Sequence, residues 1–199
     1  MQQSVARPGR TLLAPLLSRF SISPLAVTDP APDEAELDLI LDAALRAPDH
    51  GKIRPWSFVL IRREARRRFG EVLAKALLAR DPGASEMMIE RERNRPLLAP
   101  LTIALGTRLN PIHKVPEIEQ TLSVGAAAMN ILNALHMLGY GAMWVTGANA
   151  YDPNVAAALG FRAPDRLIGF IMTGTPKDPP APPARPDRGD HVRDWQGPV

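Results

Sequence analysis

Cysteine is absent from all 199 residues. That removes disulfides, thiolate nucleophiles and cysteine-ligated zinc or iron–sulfur centres from consideration. A cysteine-free chain suits a reducing compartment, so a cytoplasmic location is expected. Histidine is scarce. The four present, His50, His113, His136 and His191, form no HExxH or His-x-His arrangement, so no metal site is expected. Aromatic residues make up only 5%. The basic run RREARRR (62–68) has none interleaved, so it lacks the stacking surfaces a nucleic-acid platform needs. It reads more simply as a solvated helix face, and no nucleic-acid partner is expected. Long apolar runs are missing as well. Nothing approaches the ~20 residues of a membrane span, and Leu12 to Leu17, broken by Pro15, is too short for a secretory core. P-loop, GxGxxG and GxSxG motifs, internal repeats, paired carboxylates and a nucleophile triad are all lacking.

What remains is a chain 45% hydrophobic and 23% charged, with net charge +3. It is the length of one globular domain. Residues 1–10 read as a flexible extension, 11–20 as a short first helix, and 11–199 as one domain. DEAELDLILDAALRA (33–47) has helical apolar spacing, and Asp33 with Glu36 forms a capping-box pattern. Pro48 stops that helix. WSFVLI (56–61), LTIALG (101–106), 142–145 and DRLIGFIMTGTP (165–176) read as strands. Helices are expected at 64–80, 84–93, 117–138 and 152–160, the last with Asp152 as N-cap and Pro153 after it. The small residues Ser123, Gly125, Ala126, Ala127 and Ala128 admit two readings, tight core packing or a helix at a dimer interface. The proline-rich stretch 177–199 is expected to be an extended tail, with Trp195 packed against something. The pattern as a whole is one sheet wrapped by helices.

Two polar segments stand out. RAPDHGKIRPW (46–56) places Arg46 before Pro48, and Asp49, His50, Lys52 and Arg54 between Pro48 and Pro55, at a helix-to-strand junction. SRFSIS (18–23) clusters Arg19, Ser21 and Ser23, a charged fork with hydroxyl donors that suits phosphate. Each also reads as an ordinary capped turn. His113 either lines a pocket or caps a turn, His136 is either packed or a ligand contact, and His191 is solvated.

Taken together, R-x-S near the N-terminus, R-A-P-D-H followed by P-W, H-K-V-P (113–116) and G-x-G-x-x-W (139–144) resemble the nitroreductase family. The match is to its small single-domain bacterial NAD(P)H nitroreductase branch, from about Leu12 to Pro186. The resemblance implies an α+β fold with a mostly antiparallel central sheet. It also implies a homodimer with FMN at the interface, and ping-pong transfer of electrons from NADH or NADPH to a nitroaromatic, quinone or similar small-molecule acceptor. By position, Arg19, Phe20 and Ser21 are implied beside the FMN phosphate and ribityl chain. Arg46, His50 and Lys52 are implied at the flavin, Trp144, Val145 and Thr146 along it, and a tail arginine, Arg185 or Arg188, at the phosphate. Ala134, Leu135, His136, Met137, Leu138 and Gly139 match the NAD(P) segment. No side chain is assigned as catalytic, since the flavin carries the chemistry. Near relatives have a second Arg where Phe20 stands, and a Gln where Arg54 precedes Pro55. Those departures leave a flavin-storage protein of the same fold as an alternative, and a basic nucleic-acid-binding module as a remoter one.

Overall fold

The computed structural model describes residues 10–178 and 181–198. Residues 1–9, most of the expected flexible extension, lie outside them. The expected first helix is a 3-10 turn at Arg10–Leu13 followed by α1 at Ala14–Ser18. After a two-residue strand, β1 (Val27–Thr28), α2 runs over Glu34–Ala44. The Asp33 and Glu36 side chains each accept from the other's backbone N–H, at 2.9 and 3.0 Å, so two of the first turn's orphan donors are satisfied. Next come β2 (Trp56–Arg62), α3 (Ala65–Arg80), α4 (Glu86–Asn94), β3 (Leu101–Thr107) and α5 (Glu117–Met137). The chain continues through β4 (Gly141–Val145), α6 (Pro153–Ala158) and β5 (Arg166–Pro176).

Every strand pairing is antiparallel. β3 is central, between β2 (Trp56↔Thr107 to Arg62↔Leu101) and β5 (Leu101↔Thr173 onward). The far edge of β5 carries β4, from Gly141↔Gly174 to Val145↔Phe170, and then β1. All seven residues of β3 are buried, because helices cover both faces of the sheet. Leu101, Ile103 and Leu105 meet Leu37, Ile40 and Ala44 of α2 and Val124, Ile131 and Leu135 of α5. On the other face Ala104, Ile61 and Phe170 meet Phe69, Leu73 and Ala76 of α3 and Val155 of α6. α3 and α4 approach so closely that a Cβ on Gly70 would lie 2.0 Å from the Arg93 carbonyl oxygen. The α+β architecture with an antiparallel sheet is thus the one expected.

α5 is unusual. Its inner side is fully buried, yet Ile118, Leu122, Met129 and Met137 on its other side are 63, 64, 38 and 54% exposed. A helix apolar all round is normally covered all round. Trp195, expected to pack, is 83% exposed, because the segment 181–198 runs over the surface with only a short 3-10 turn at Arg188–Asp190.

Candidate functional site

The junction 46–56 is organised by one carboxylate. Asp49 accepts the backbone N–H of Ile53 (3.2 Å) and of Arg54 (2.8 Å). Gly51, Lys52 and Arg54 have φ of 75, 55 and 55°, with Ile53 at −71° between the last two. Such alternation of left- and right-handed backbone points successive N–H groups at one spot, an anion nest, and here the chain fills it with its own carboxylate. Glycine adopts positive φ freely, whereas Lys52 and Arg54 are strained there by about 1 kcal/mol or more each. The outcome is a rigid knuckle with both cationic side chains exposed.

A second loop, 108–116, packs on that knuckle. A Cβ added at Gly51 would stand 3.2 Å from Val115 and 3.4 Å from His113. Buried Gln120 pins this loop, donating to the carbonyls of Asn110 (3.1 Å) and Val115 (3.0 Å) and accepting the Asn110 N–H (2.9 Å). His113 accepts the Val115 N–H through Nδ1 at 3.1 Å, so it caps the turn. His50 Nδ1 lies 2.6 Å from Glu119 Oε2, which places the junction at the N-terminal end of α5.

The other polar segment lies elsewhere. The Ile22 N–H donates to the Ala142 carbonyl at 3.0 Å, so the chain after Ser18 runs along the open edge of β4. There Phe20 packs with Ile22, Val27 and Met172, as does Val145. Ser18 Oγ lies 3.0 Å from His136 Nε2, and the Arg185 guanidinium donates to the Arg19 carbonyl. A cleft of about 420 Å³ lies between Phe20, His136, Gly139, Tyr140, Pro176 and Pro182. Ser21 is exposed, but Ser23 is occupied in capping the 3-10 turn at Pro24–Ala26.

One end of α5 therefore collects Arg19, Phe20, Ser21, Arg185 and Ala134–Gly139, with Trp144, Val145 and Thr146 farther along the same strand edge. His50 and Lys52 collect at the opposite end, while Arg46 lies near the middle of α5, between the bonds that join Ala43 to Asn130 and Pro48 to Ser123. Glu119 and His136 are 17 positions apart on one helix, about 25 Å at the usual rise. Within one chain Arg19 and His50 therefore stand near opposite ends of α5, whereas the resemblance implies that their segments meet at a subunit boundary.

Sequence reading also missed a buried network behind the 146–149 segment. Arg95 donates twice to Glu92, at 2.9 and 2.7 Å. The Asn149 amide donates to Glu92 (2.7 Å) and accepts from Arg80 (2.9 Å), which also bonds Asp152. Burial alone would push the Glu92 carboxyl up. Hydrogen bonds from Arg95 and Asn149, with the charges of Arg95 and Arg91, outweigh it and leave the carboxyl below its ordinary value. Asp152 is likewise lowered, burial being outweighed by Arg80 and the N–H groups of Asn154 and Val155. The only trace in the sequence was the Asp152 cap. The other bonds join residues far apart along the chain.

An antiparallel sheet with helices on both faces, and a polar strip along its β4 edge, is the architecture of nitroreductase-like folds. The solved nitroreductase-like family protein of Bacillus cereus superposes with a TM-score of 0.80 at 20% identity, covering 98% of this chain and all of that one. A Desulfovibrio desulfuricans structure, a nitroreductase by its description and solved with FMN, gives 0.70 at 21% identity over 96% of this chain and all of its own. The nitroreductase family model matches residues 16–175. The chain is 40% identical to the Escherichia coli (strain K12) protein named "Putative NAD(P)H nitroreductase YdjA", over 81% of this chain and 86% of that one. A Haemophilus influenzae protein named "Putative NAD(P)H nitroreductase" is 34% identical over 75% of this chain and 80% of its own length. The chain belongs to the nitroreductase family.

Proposed function

We propose that the protein is a cytoplasmic FMN-dependent NAD(P)H oxidoreductase acting as a homodimer, with residues 11–199 forming one functional unit in each subunit. The observation that carries this reading is the pair of half-sites at the two ends of α5. The exposed stripe Ile118, Leu122, Gly125 and Met129 repeats at four, three and four residues, the spacing of a helix–helix seam. A Cβ on Gly125 would meet nothing within 4 Å, so this side of the helix is open. Two copies of α5 crossing antiparallel near residue 127 would cover the stripe. They would also bring the Arg19 end of one chain to the His50 end of the other. The exposed leucines of the first 3-10 turn and α1, Leu12, Leu13, Leu16 and Leu17, extend the same apolar surface.

The residues fit FMN in kind. Its phosphate carries about −1.5 to −2 charge, and Arg19 and Arg185 are already in contact beside the exposed Ser21 hydroxyl. Trp144 to Thr146 offer the end of an edge strand, where backbone groups remain available to a planar ring. Arg46 and Lys52 from the second subunit place positive charge where the reduced cofactor gains negative charge, which raises its potential. The cleft beside Ala134–Gly139 adjoins the Arg19 half-site and suits the dinucleotide. When bound, FMN supplies the two-electron centre, taking a hydride from NADH or NADPH and passing the electrons to a nitroaromatic, quinone or similar acceptor. This chain binds, orients and shields.

The purified protein is expected to be yellow and to release FMN on denaturation, identified by mass spectrometry. Anaerobic NADPH should bleach it. Protein that stays colourless after incubation with FMN would overturn the reading, and colour that no dinucleotide bleaches would leave storage as the function.

A further inference from the structure

Four cationic side chains gather at the end of the sheet where β2 begins and β3 ends. Arg54 and Arg108 flank a backbone bond from the Arg108 N–H to the Pro55 carbonyl, 2.6 Å long. Lys52 lies next to Gly51, which packs against His113 and Val115, and Lys114 lies between those two. All four cationic side chains are exposed, and none forms an ion pair among the described residues.

The neighbouring acids are all engaged elsewhere. Asp49 holds the N–H groups of Ile53 and Arg54, and Asp165 accepts the Leu109 N–H at 3.2 Å. Glu117 pairs with Arg166 at 2.8 Å, and Glu119 with His50. Two of the four cations also sit on strained, left-handed backbone that Asp49 enforces. Backbone strain of this kind clusters at active sites and ligand clamps. Four positive charges against the unpaired carboxylates of Asp49 and Asp165 leave this end of the sheet net positive, which favours an incoming anion.

We propose that Arg54 and Arg108, flanked by Lys52 and Lys114, form an anion subsite at the mouth of the candidate flavin site. It holds a phosphate, carboxylate or sulfonate carried by an electron-transfer substrate. The inference rests on the proposed flavin chemistry for where the reducing centre lies, but the subsite itself is independent of flavin. Two substrates offer this chemistry, an acceptor with an anionic group beside its reducible ring, and the phosphates of the dinucleotide donor. Arginine suits either, presenting a planar fork to the oxyanion.

The test compares wild type with the R54Q/R108Q double variant, saturated with FMN. Steady-state kcat/KM is measured for anthraquinone-2-sulfonate and for uncharged menadione, then for NADH with each. Removing a charged hydrogen bond to a substrate weakens recognition about tenfold. If the subsite serves the acceptor, kcat/KM for the sulfonate falls about tenfold relative to menadione. If it serves the donor, kcat/KM for NADH falls with both acceptors. Equal values for both proteins in every arm would overturn the proposal. A second readout needs no turnover. Inorganic pyrophosphate should raise the melting temperature of wild type more than that of the double variant, with or without bound flavin. Identical shifts would overturn the subsite even if the protein proved colourless. A pyrophosphate difference in a protein that binds no flavin would uphold the subsite and sink the flavin reading alone.

Discussion

Asp49 shows how one residue shapes a functional surface without facing a ligand. Its carboxylate takes two backbone N–H groups and so holds Lys52 and Arg54 in conformations they would otherwise leave. Asp49→Ala removes both bonds and relieves the strain only by letting the knuckle unfold. The expected result is a modest loss of stability, about 1–2 kcal/mol by urea denaturation. Trypsin should also cut after Lys52 much faster than in wild type. Equal cleavage rates would show that the backbone keeps its shape without Asp49. Gly51→Ala probes the same knuckle from the other side, since φ of 75° and a 3.2 Å approach to Val115 both oppose a Cβ. About 1 kcal/mol of destabilisation is expected.

Most elements were legible in the sequence, because their signals are local. The capping box of α2, the Asp152–Pro153 start of α6 and the apolar run of β3 each depend on residues within a few positions of one another. The turns around the candidate site were less legible. The 3-10 turns at His50–Lys52 and Ala148–Tyr151 are held by bonds spanning 57 to 75 residues in sequence, such as Asn149 to Glu92 and Ser123 Oγ to the Pro48 carbonyl at 2.7 Å. The network of Arg95, Glu92, Asn149, Arg80 and Asp152 ties α3, α4, the 148–151 turn and α6 together, and its behaviour with pH follows from its carboxylates. Both are lowered in the folded state. Their contribution is present above the ordinary unfolded carboxylate pKa of ~4 and is lost as pH falls through the folded values. The melting temperature should therefore drop steeply below about pH 4. Glu92→Gln should be less stable at neutral pH, on the order of 2 kcal/mol, with a flatter acid limb. A variant whose acid limb matches wild type would remove Glu92 from the acid response.

At the scale of the whole molecule, the motifs were visible in the sequence but the distance between them was not. Linear order places Arg19 and His50 only 31 positions apart, while the fold places them near opposite ends of a 21-residue helix. In the proposed dimer a symmetric partner turns that separation into a site, so assembly and cofactor binding should fail together. Leu122→Glu puts a charge on the exposed stripe of α5, where the isolated subunit tolerates it because Leu122 is 64% exposed. A charge buried without a partner at a helix seam is costly. Size-exclusion chromatography should therefore shift the variant from dimer to monomer. Its far-ultraviolet circular dichroism should match wild type, since the core of each subunit is untouched. Bound FMN per chain should fall in step with the dimer fraction, because the proposed site takes the Arg19 end of one subunit and the His50 end of the other. A monomer that kept its flavin would show that one half-site suffices, and the role proposed for the second end of α5 would then be wrong.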